Sequence, residues 1–370
     1  MITISLCVIV RNEEAVLARM LESAAPFADE ILIADTGSTD QTRRIAARYA
    51  TRLFDFPWQD DFAAARNFIC SKASMDYWMW LDADDVVPPA SAQEILRLKE
   101  TLDPSIDLVM MKYVTARDEN GRPAFSYDRE RLVRNGRGYR WAGRVHEAVT
   151  PKNSVLRLPI VIEHRKERPG DPNRNLRIYE AMIREGEALN PRHQYYYGRE
   201  LAAHGRFEEA ARVLKHFLTE PDGWIENRID ACLQLSFCLK QSGQRDAALA
   251  ALFSSFRYGT PRAPVCCAAG LLFLEAGKPR EAAFWYRQAL ADRPGLHPDA
   301  FTQAEFYDFV PLIQLCVCYD RLGNLPAALY CHRKCRKLRP NHPSVLYNER
   351  YFRQKANAQN LFGSHIIHQA

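Results

Sequence analysis

The segment Trp80-Leu81-Asp82-Ala83-Asp84-Asp85 places three carboxylates within four residues, directly after an apolar run that begins at Tyr77. Carboxylates this close together repel one another, and a hard divalent cation with oxygen ligands relieves the repulsion. Such a cation is often held partly by substrate phosphates rather than by protein ligands alone. The segment therefore predicts a metal site and a phosphate-bearing substrate, although a plain helix start before Pro88 and Pro89 is the structural alternative.

Two earlier segments also end an apolar strand pattern with polar residues. Residues 2–10 are apolar and β-branched and are followed by Arg11-Asn12-Glu13-Glu14, and a second strand pattern ends at Asp35, before a short turn and a helix over residues 42–50. Successive strand-turn-helix units place such residues at the carboxyl edge of a parallel sheet, where open α/β sheets bind nucleotides. Asp35 could accept a hydrogen bond from a base or ribose there, and Arg11 could steady negative charge.

Taken together, these segments resemble a family 2 glycosyltransferase of GT-A fold. The resemblance runs from about residue 2 to about residue 165 and is carried by the motifs Leu6–Glu14, Ala34–Asp40, Asp61–Asn67 and Asp82–Asp84. Within that family, the chain most resembles a bacterial branch that joins a short catalytic domain to tetratricopeptide-like helices and includes the sublancin-type peptide S-glycosyltransferases. The resemblance implies an inverting, metal-dependent enzyme that transfers a hexose from a nucleotide sugar, taken to be UDP-linked, to a peptide, protein or surface-glycan acceptor.

The resemblance also implies roles for individual residues. Asp82 and Asp84 form the DxD pair, and Asp84 is the more direct ligand of a Mn²⁺ or Mg²⁺ that offsets charge on the departing nucleoside diphosphate. His164 follows a further apolar strand pattern and could add a nitrogen ligand, which suits Mn²⁺ better than Mg²⁺; otherwise it is a structural residue at a strand end. The residues implied in nucleotide-sugar binding are Arg11, Asn12, Glu13, Asp35, Gly37, Arg66, Asn67 and Asp82. For Arg66 and Asn67, an exposed helix surface is the alternative.

An inverting transfer also needs a base that removes the acceptor proton as the nucleophile attacks. Better-known members of the family use the Asp of a Glu-Asp pair, and this sequence contains no Glu-Asp dipeptide. The segment Trp141–Glu147 resembles the His-Glu segment of the tetratricopeptide-linked branch, which makes His146 or Glu147 the predicted base. A neutral His is a sufficient base for a thiol with a pKa of about 8.5, whereas a hydroxyl acceptor also needs the metal site or a well-placed carboxylate to lose its proton. Alternatively, His146 caps a strand and Glu147 pairs with Arg144.

After about residue 172, strand patterns give way to amphipathic helices with an internal repeat. Gly205, Gly243, Gly277 and Gly323 begin similar segments that are 38, 34 and 46 residues apart, against a period of about 34 for tetratricopeptide repeats. The repeats could hold a peptide or protein acceptor in a groove or mediate a homodimer. The predicted architecture is an α/β, Rossmann-like GT-A domain over residues 1–170, a helical linker over 171–190, all-α tetratricopeptide-like repeats over 191–355 and a C-terminal tail over 356–370.

The composition fits a two-domain globular enzyme. Of the 370 residues, 47% are hydrophobic and 26% are charged, and the net charge of +5 is compatible with an anionic sugar nucleotide. No dense basic stripe argues for nucleic acid, and no apolar run reaches the roughly 18 to 20 residues of a membrane span. Met1 leads into a strand without a signal-peptide pattern, so a cytoplasmic location is expected.

A nucleotide-binding helical-repeat scaffold that lacks transfer activity is the competing hypothesis. The intact Asp82-Ala83-Asp84 motif argues against it. A scaffold would tolerate Asp84→Ala in its cellular role, and the enzyme would not. The sequence leaves open which sugar and nucleotide are used, which acceptor receives the sugar, and whether the linkage is to sulfur, oxygen or nitrogen.

Overall fold

The computed structural model describes residues 1–293, 296–297 and 300–367, with side chains described up to residue 355. The chain forms two compact units: the first contains residues 1–204 and a short segment with Phe301, and the second begins at Gly205. The first unit thus extends beyond residue 170, and the predicted domain boundaries stay a prediction. None of the helices in the described part of the chain is long and apolar enough to cross a membrane.

The first unit consists of a mixed sheet, a short hairpin and flanking helices. The main strands are β1 Ile4–Val10, β2 Glu30–Asp35, β3 Arg52–Asp55, β4 Tyr77–Trp80, β5 Asp85–Val86, β6 Leu108–Arg117, β7 Pro123–Arg134 and β10 Val155–His164. The hairpin pairs β8 Trp141–Ala142 with β9 Ala148–Val149. The helices are α1 Leu17–Ala24, α2 Thr42–Tyr49, α3 Phe62–Cys70, α4 Pro89–Thr101, α5 Arg174–Arg184 and α6 Pro191–Ala203.

The candidate residues follow strands whose carboxyl ends lie at the same edge of the sheet. The order is β3-β2-β1-β4-β7-β6-β10-β5; β3, β2, β1 and β4 run parallel, whereas β7 is antiparallel to both β4 and β6. Val10 lies opposite Asp35, and Cys7 lies opposite Trp80. The carboxyl ends of β1, β2 and β4 therefore meet, which confirms the predicted α/β fold of the N-terminal half.

Side-chain alternation along the strands builds a hydrophobic layer on each face of this sheet. Leu6 and Val8 face a layer completed by α1 and α4, while Cys7, Trp78 and Trp80 face a layer that includes residues of α3 and the hairpin. Because both faces are covered, the central strands are apolar at nearly every position. The second layer brings the aromatic ring of Trp80 next to the candidate site.

The second unit is built from helices. They are α7 Phe207–Phe217, α8 Ile225–Gln241, α9 Arg245–Ser254, α10 Ala263–Glu275, α11 Pro279–Ala291, α12 Phe309–Arg321, α13 Leu325–Leu338 and α14 Pro343–Ile367, with a short strand, β11 Thr302–Gln303, before α12. The repeat glycines 205, 243, 277 and 323 have φ values of 73°, 76°, 73° and 73°, a left-handed conformation that ends a helix with little strain in glycine. They precede α7, α9, α11 and α13, which confirms the predicted repeat. The predicted tail is helical to Ile367, and residues 368–370 lie outside the described residues.

The pair α10 and α11 shows why the repeat needs small residues. A Cβ on Gly270 would lie 2.7–2.8 Å from ring atoms of Tyr286, whose side chain is fully buried. We therefore expect Gly270→Ala to lower the free energy of unfolding by about 1–3 kcal/mol, although alanine favours helix. Urea denaturation measures the loss, and a Gly270→Ala/Tyr286→Leu double variant should recover part of it. Unchanged stability in the single variant would contradict this packing.

Candidate active site

Asp84, Asp85 and His164 bring three potential metal ligands together. Their carboxylate oxygens and imidazole nitrogen lie within 4.8 Å of one another, and His164 Nδ1 is 3.2 Å from Asp84 Oδ1 and 3.6 Å from Asp85 Oδ1. The register of β10 with β5 produces this grouping, because it places His164 opposite Asp85. Hydrogen bonds to Asp84 and Asp85 raise the pKa of His164 to about 10. Two carboxylates and one imidazole form a donor set that fits a divalent cation, which would displace the ring proton of His164 on binding.

Asp82, the first acid of the predicted DxD pair, lies outside this cluster and contacts an arginine. Arg66 Nη2 donates to Asp82 Oδ1 at 2.6 Å. Burial raises the pKa of Asp82, but the charges of Arg66 and Arg131 outweigh that effect and hold it at about 2. Asp82 is therefore ionised at neutral pH, and its role as a metal ligand stays a prediction.

Asp85, which the sequence-based prediction left out of the ligand set, is fully buried beside Arg131. Arg131 Nη1 donates to Asp85 Oδ2 at 3.0 Å, and both side chains have 0% exposure. Tyr113 donates its hydroxyl hydrogen to Asp85 Oδ1 at 2.8 Å. The guanidinium also lies 3.8 Å from the centre of the Trp80 ring, a cation–π contact that partly replaces its lost hydration. Arg131 thus fixes one carboxylate of the cluster from the interior of β7.

Arg66 joins Asp82 to Glu147, one of the two candidate bases. Its Nε donates to Glu147 Oε1 at 2.6 Å, and the side chains of Arg66 and Glu147 are only 7% and 10% exposed. The guanidinium lies against the rings of Trp80 and Trp141, 4.6 and 4.9 Å from their centres. Burial lowers the pKa of Arg66, but the two carboxylates raise it overall. The alternative that Arg66 lies on an exposed helix surface is wrong.

Asn67, the next residue in α3, positions the hairpin. Its Nδ2 donates to the Trp141 carbonyl, and its Oδ1 accepts from the Trp141 amide, both at 2.9 Å. This pair of hydrogen bonds holds β8 against α3, so the half-buried Asn67 is not a free surface residue. Its predicted contact with the nucleotide stays a prediction.

The turns after β1 and β2 are joined by hydrogen bonds. Asn12 Oδ1 accepts from the Thr39 amide at 2.8 Å, and the Ser38 hydroxyl donates to Asp35 Oδ1 at 2.6 Å. Asn12 and Gly37 have left-handed φ values of 56° and 103°. The two turns thus form one structure that surrounds the buried Asp35 carboxylate, at the sheet edge where nucleotide binding was predicted.

Glu13 lies close to the acidic cluster. Burial, followed by the negative charges of Asp84 and Asp82, raises its pKa to about 7. Arg11 is exposed at the end of β1. The structure thus brings Glu13, Asp82 and Asp84 together, and the nucleotide contacts of Glu13 and Arg11 stay predictions.

His146 is held by α6. Its Nε2 lies 3.0 Å from Glu200 Oε1, and its ring stacks on Tyr196 at a centroid distance of 4.1 Å. Burial lowers the pKa of His146, although Glu200 opposes this shift. Sequence analysis did not identify Glu200, because it is 54 residues away from His146 in the chain. Glu200 follows Tyr196 by four residues, a spacing that places both side chains on one face of a helix, and this is the signal that could have suggested a common role.

The alternative pairing of Glu147 with Arg144 is wrong. Arg144 pairs with Glu185 at 2.7 Å and also with Glu187. Glu147 instead points its carboxylate at Arg66. The two candidate bases are therefore in different environments: Glu147 belongs to a buried ion-pair network, whereas the ring of His146 keeps 29% side-chain exposure.

Several known proteins are similar to this chain. Residues 5–165 match the model of the family described as Glycosyl transferase family 2. The TPR repeat-containing protein Synpcc7942_0270 of Synechococcus elongatus is 30% identical over 269 residues, which are 72% of this chain and 59% of that protein. The SPbeta prophage-derived glycosyltransferase SunS of Bacillus subtilis is 29% identical over 260 residues, 65% of this chain and 59% of its own. The chain therefore spans 59% of the length of each of these relatives.

Among solved structures, similarity extends to a tetratricopeptide-repeat protein. The crystal structure of YrrB, described as a TPR protein with an unusual peptide-binding site, covers 48% of this chain and 84% of its own. Its sequence identity to this chain is 18%, and its TM-score is 0.37.

Proposed function

Because residues 5–165 of this chain are a glycosyl transferase family 2 domain, followed by tetratricopeptide-like repeats, we propose that it transfers a hexose with inversion from a nucleotide sugar. The family match confirms the resemblance predicted from the motifs. The donor in this proposal is a UDP-hexose, and the acceptor is a peptide, protein or surface glycan. The repeats would hold that acceptor or form a homodimer, and the expected cytoplasmic location stays a prediction.

The grouping of Asp84, Asp85 and His164 supports this proposal most strongly. The acids follow β4 at the carboxyl edge of the sheet, where β1 and β2 also end. A divalent cation bound by these residues would offset the charge on the departing nucleoside diphosphate. Mn²⁺ suits the imidazole better than Mg²⁺ does, while both accept the carboxylates.

In this proposal, the remaining residues of the site bind the nucleoside, position the neighbouring carboxylates and activate the acceptor. Asp35, enclosed by the turns after β1 and β2, would accept a hydrogen bond from the nucleoside. Arg66 keeps Asp82 ionised and holds the carboxylate of Glu147 in a fixed position. A water-poor environment lined by Trp80 and Trp141 strengthens these electrostatic interactions. His146 or Glu147 would remove the acceptor proton.

Donor binding that depends on a metal ion tests the proposal. We expect one class among UDP, GDP, CDP and dTDP sugars, the UDP-hexoses, to raise the melting temperature with Mn²⁺ or Mg²⁺ and to lose this effect with chelator. A ligand at 100 times its Kd stabilises the folded state by about 2.7 kcal/mol. Thermal shift measurements over this panel give the result.

The matched control for this panel is Glu94→Gln. Glu94 is an exposed carboxylate on α4 that pairs with Arg97, so its loss should leave the metal-dependent shift unchanged. A shift of equal size with and without chelator would contradict the metal assignment. The absence of a shift with every donor would contradict donor binding by this chain.

A further inference from the structure

Three residues of one face of α6 hold the backbone and the side chain of His146. Arg192 Nε donates to the His146 carbonyl at 2.9 Å, Tyr196 stacks on the imidazole, and Glu200 Oε1 lies 3.0 Å from Nε2. Their spacing of four residues places all three on the same side of the helix. His146 itself has a φ of 52°, a conformation that costs energy in a residue with a side chain. The surrounding contacts therefore hold this ring in a strained but defined position.

The hydrogen-bonding partners of Glu200 determine which ring nitrogen carries the proton. Asn175 Nδ2 donates to Glu200 Oε1 at 3.0 Å, and an ionised carboxylate can only accept. Burial favours the neutral form of the imidazole, while the contacts with His146 and Asn175 outweigh the burial of Glu200 and keep it ionised. Asn175 Nδ2 also lies 3.5 Å from Nε2, but its shorter contact is the one to Glu200. Nε2 of a neutral ring must then carry the hydrogen donated to Glu200. Nδ1 is left with the lone pair and has no hydrogen-bond partner among the described residues.

We propose that Glu200 is a positioning residue that holds His146 with the proton on Nε2, so that Nδ1 serves as the base for the acceptor. The inference rests on the proposed function and goes beyond it by choosing His146 over Glu147 and by adding Glu200. The carboxylate of Glu147 is already paired with the buried Arg66. Removing a proton with Glu147 would cost that ion pair, whereas His146 can become charged beside a carboxylate that is already in place.

The proposed transfer moves one hexose and one proton. The acceptor atom forms a bond to the anomeric carbon, and its proton passes to His146 Nδ1. The bond from the anomeric carbon to the diphosphate oxygen breaks, and its electron pair leaves with the nucleoside diphosphate. The imidazolium that forms keeps its Nε2 hydrogen bond to Glu200, which stabilises the positive charge, and it later loses its proton to solvent.

Nuclear magnetic resonance of the full chain, labelled with ¹⁵N at histidine, measures the tautomer and the pKa of His146 without substrate. We expect the neutral His146 of the wild-type protein to carry its hydrogen on Nε2. In Glu200→Gln the negative charge is lost, so the pKa of His146 should fall. The other charged or titratable groups around the ring remain in this variant: Glu147 beside it in the chain, Tyr179 on α5, and Arg192, His193, Tyr196 and Arg199 on α6.

The pH dependence of the rate should shift in the same direction as the pKa of His146. Because the base must be neutral, a lower pKa of His146 moves the acidic limb of the kcat/KM profile to lower pH. We expect kcat of Glu200→Gln to fall about 100-fold, the low end of the contribution of a general base, with an unchanged KM for the donor. Glu200→Asp keeps the charge and should recover part of the rate. Glu185→Gln, which removes an exposed partner of Arg144, should alter neither the rate nor the profile.

Each outcome separates the positioning role from the proposed function. A hydrogen on Nδ1 in the wild-type ring, or an unchanged His146 pKa in a folded Glu200→Gln variant, would overturn the inference. If the pKa falls while kcat stays at the wild-type value, Glu200 orients the ring but His146 is not the base. If the wild-type protein transfers no sugar from any donor, the proposed function itself fails, whatever the ring shows.

Discussion

Asp84→Asn is expected to abolish metal-dependent sugar transfer while leaving the fold intact. Asp84 supplies one of the three ligand atoms grouped within 4.8 Å, and an amide in its place has no negative charge with which to hold a divalent cation. We expect kcat to fall about 1,000-fold, which corresponds to about 4 kcal/mol of barrier height. The measurement is the rate of nucleoside diphosphate release at saturating Mn²⁺ or Mg²⁺.

The control for this variant separates metal binding from folding. Asp84 is partly exposed, with 17% of its side chain accessible, so its neutralisation should leave the metal-free protein folded, with a melting temperature lowered by the weaker contact to His164. Asp103→Asn, at an exposed carboxylate before β6 that accepts from the Ser105 amide, should retain full turnover. Turnover of Asp84→Asn at the wild-type rate would contradict the assignment of the metal cluster.

Arg131→Met is expected to cause the largest loss of stability. Arg131 and Asp85 form an ion pair at 3.0 Å with no exposure of either side chain. Removing the guanidinium leaves the buried carboxylate with only the more distant His164, 3.6 Å away, as a charge partner, and breaking a buried ion pair typically costs about 3–5 kcal/mol. The variant also loses the contact of the guanidinium with the Trp80 ring. Urea denaturation without added metal measures the change in the free energy of unfolding.

A double variant tests whether the lost partner is the cause. Arg131→Met/Asp85→Asn removes the unpaired charge together with the arginine, so it should be more stable than Arg131→Met alone. A divalent cation should also restore part of the stability of Arg131→Met, because it supplies positive charge next to Asp85. Equal instability of the single and double variants would indicate lost packing rather than an unpaired carboxylate.

Sequence analysis predicted the features that depend on residues close together in the chain. Apolar strands followed by Asp35 and by Asp82–Asp85 indicated a sheet edge with acidic residues, because parallel strands place their carboxyl ends on the same side. The repeat glycines indicated helix ends, because glycine adopts the left-handed conformation with little strain. In both cases, residues that are neighbours in sequence determine the geometry.

The features that were missed depend on pairings between distant segments. Arg131 lies inside β7, where no motif marks it, and reaches Asp85 only because β7 lies beside β4 in the sheet. Glu200 meets His146 through the packing of α6 against the segment that follows β8. The exposed-surface alternative for Arg66 was wrong for the same reason, since the aromatic rings that cover it come from other elements. Such contacts require knowledge of strand order and helix packing.

Phosphorus magnetic resonance of a nucleotide sugar incubated with the protein tests the central claim most directly. The samples are UDP-, GDP-, CDP- and dTDP-hexoses with Mg²⁺, with and without chelator, with wild-type protein and with Asp84→Asn. We expect the signals of UDP to grow only with UDP-hexose, wild-type protein and Mg²⁺, because water can take the place of the acceptor and receive the hexose slowly. A cation held by Asp84, Asp85 and His164 would stabilise the departing UDP. Donor signals that persist equally in the wild-type and Asp84→Asn samples would contradict the account.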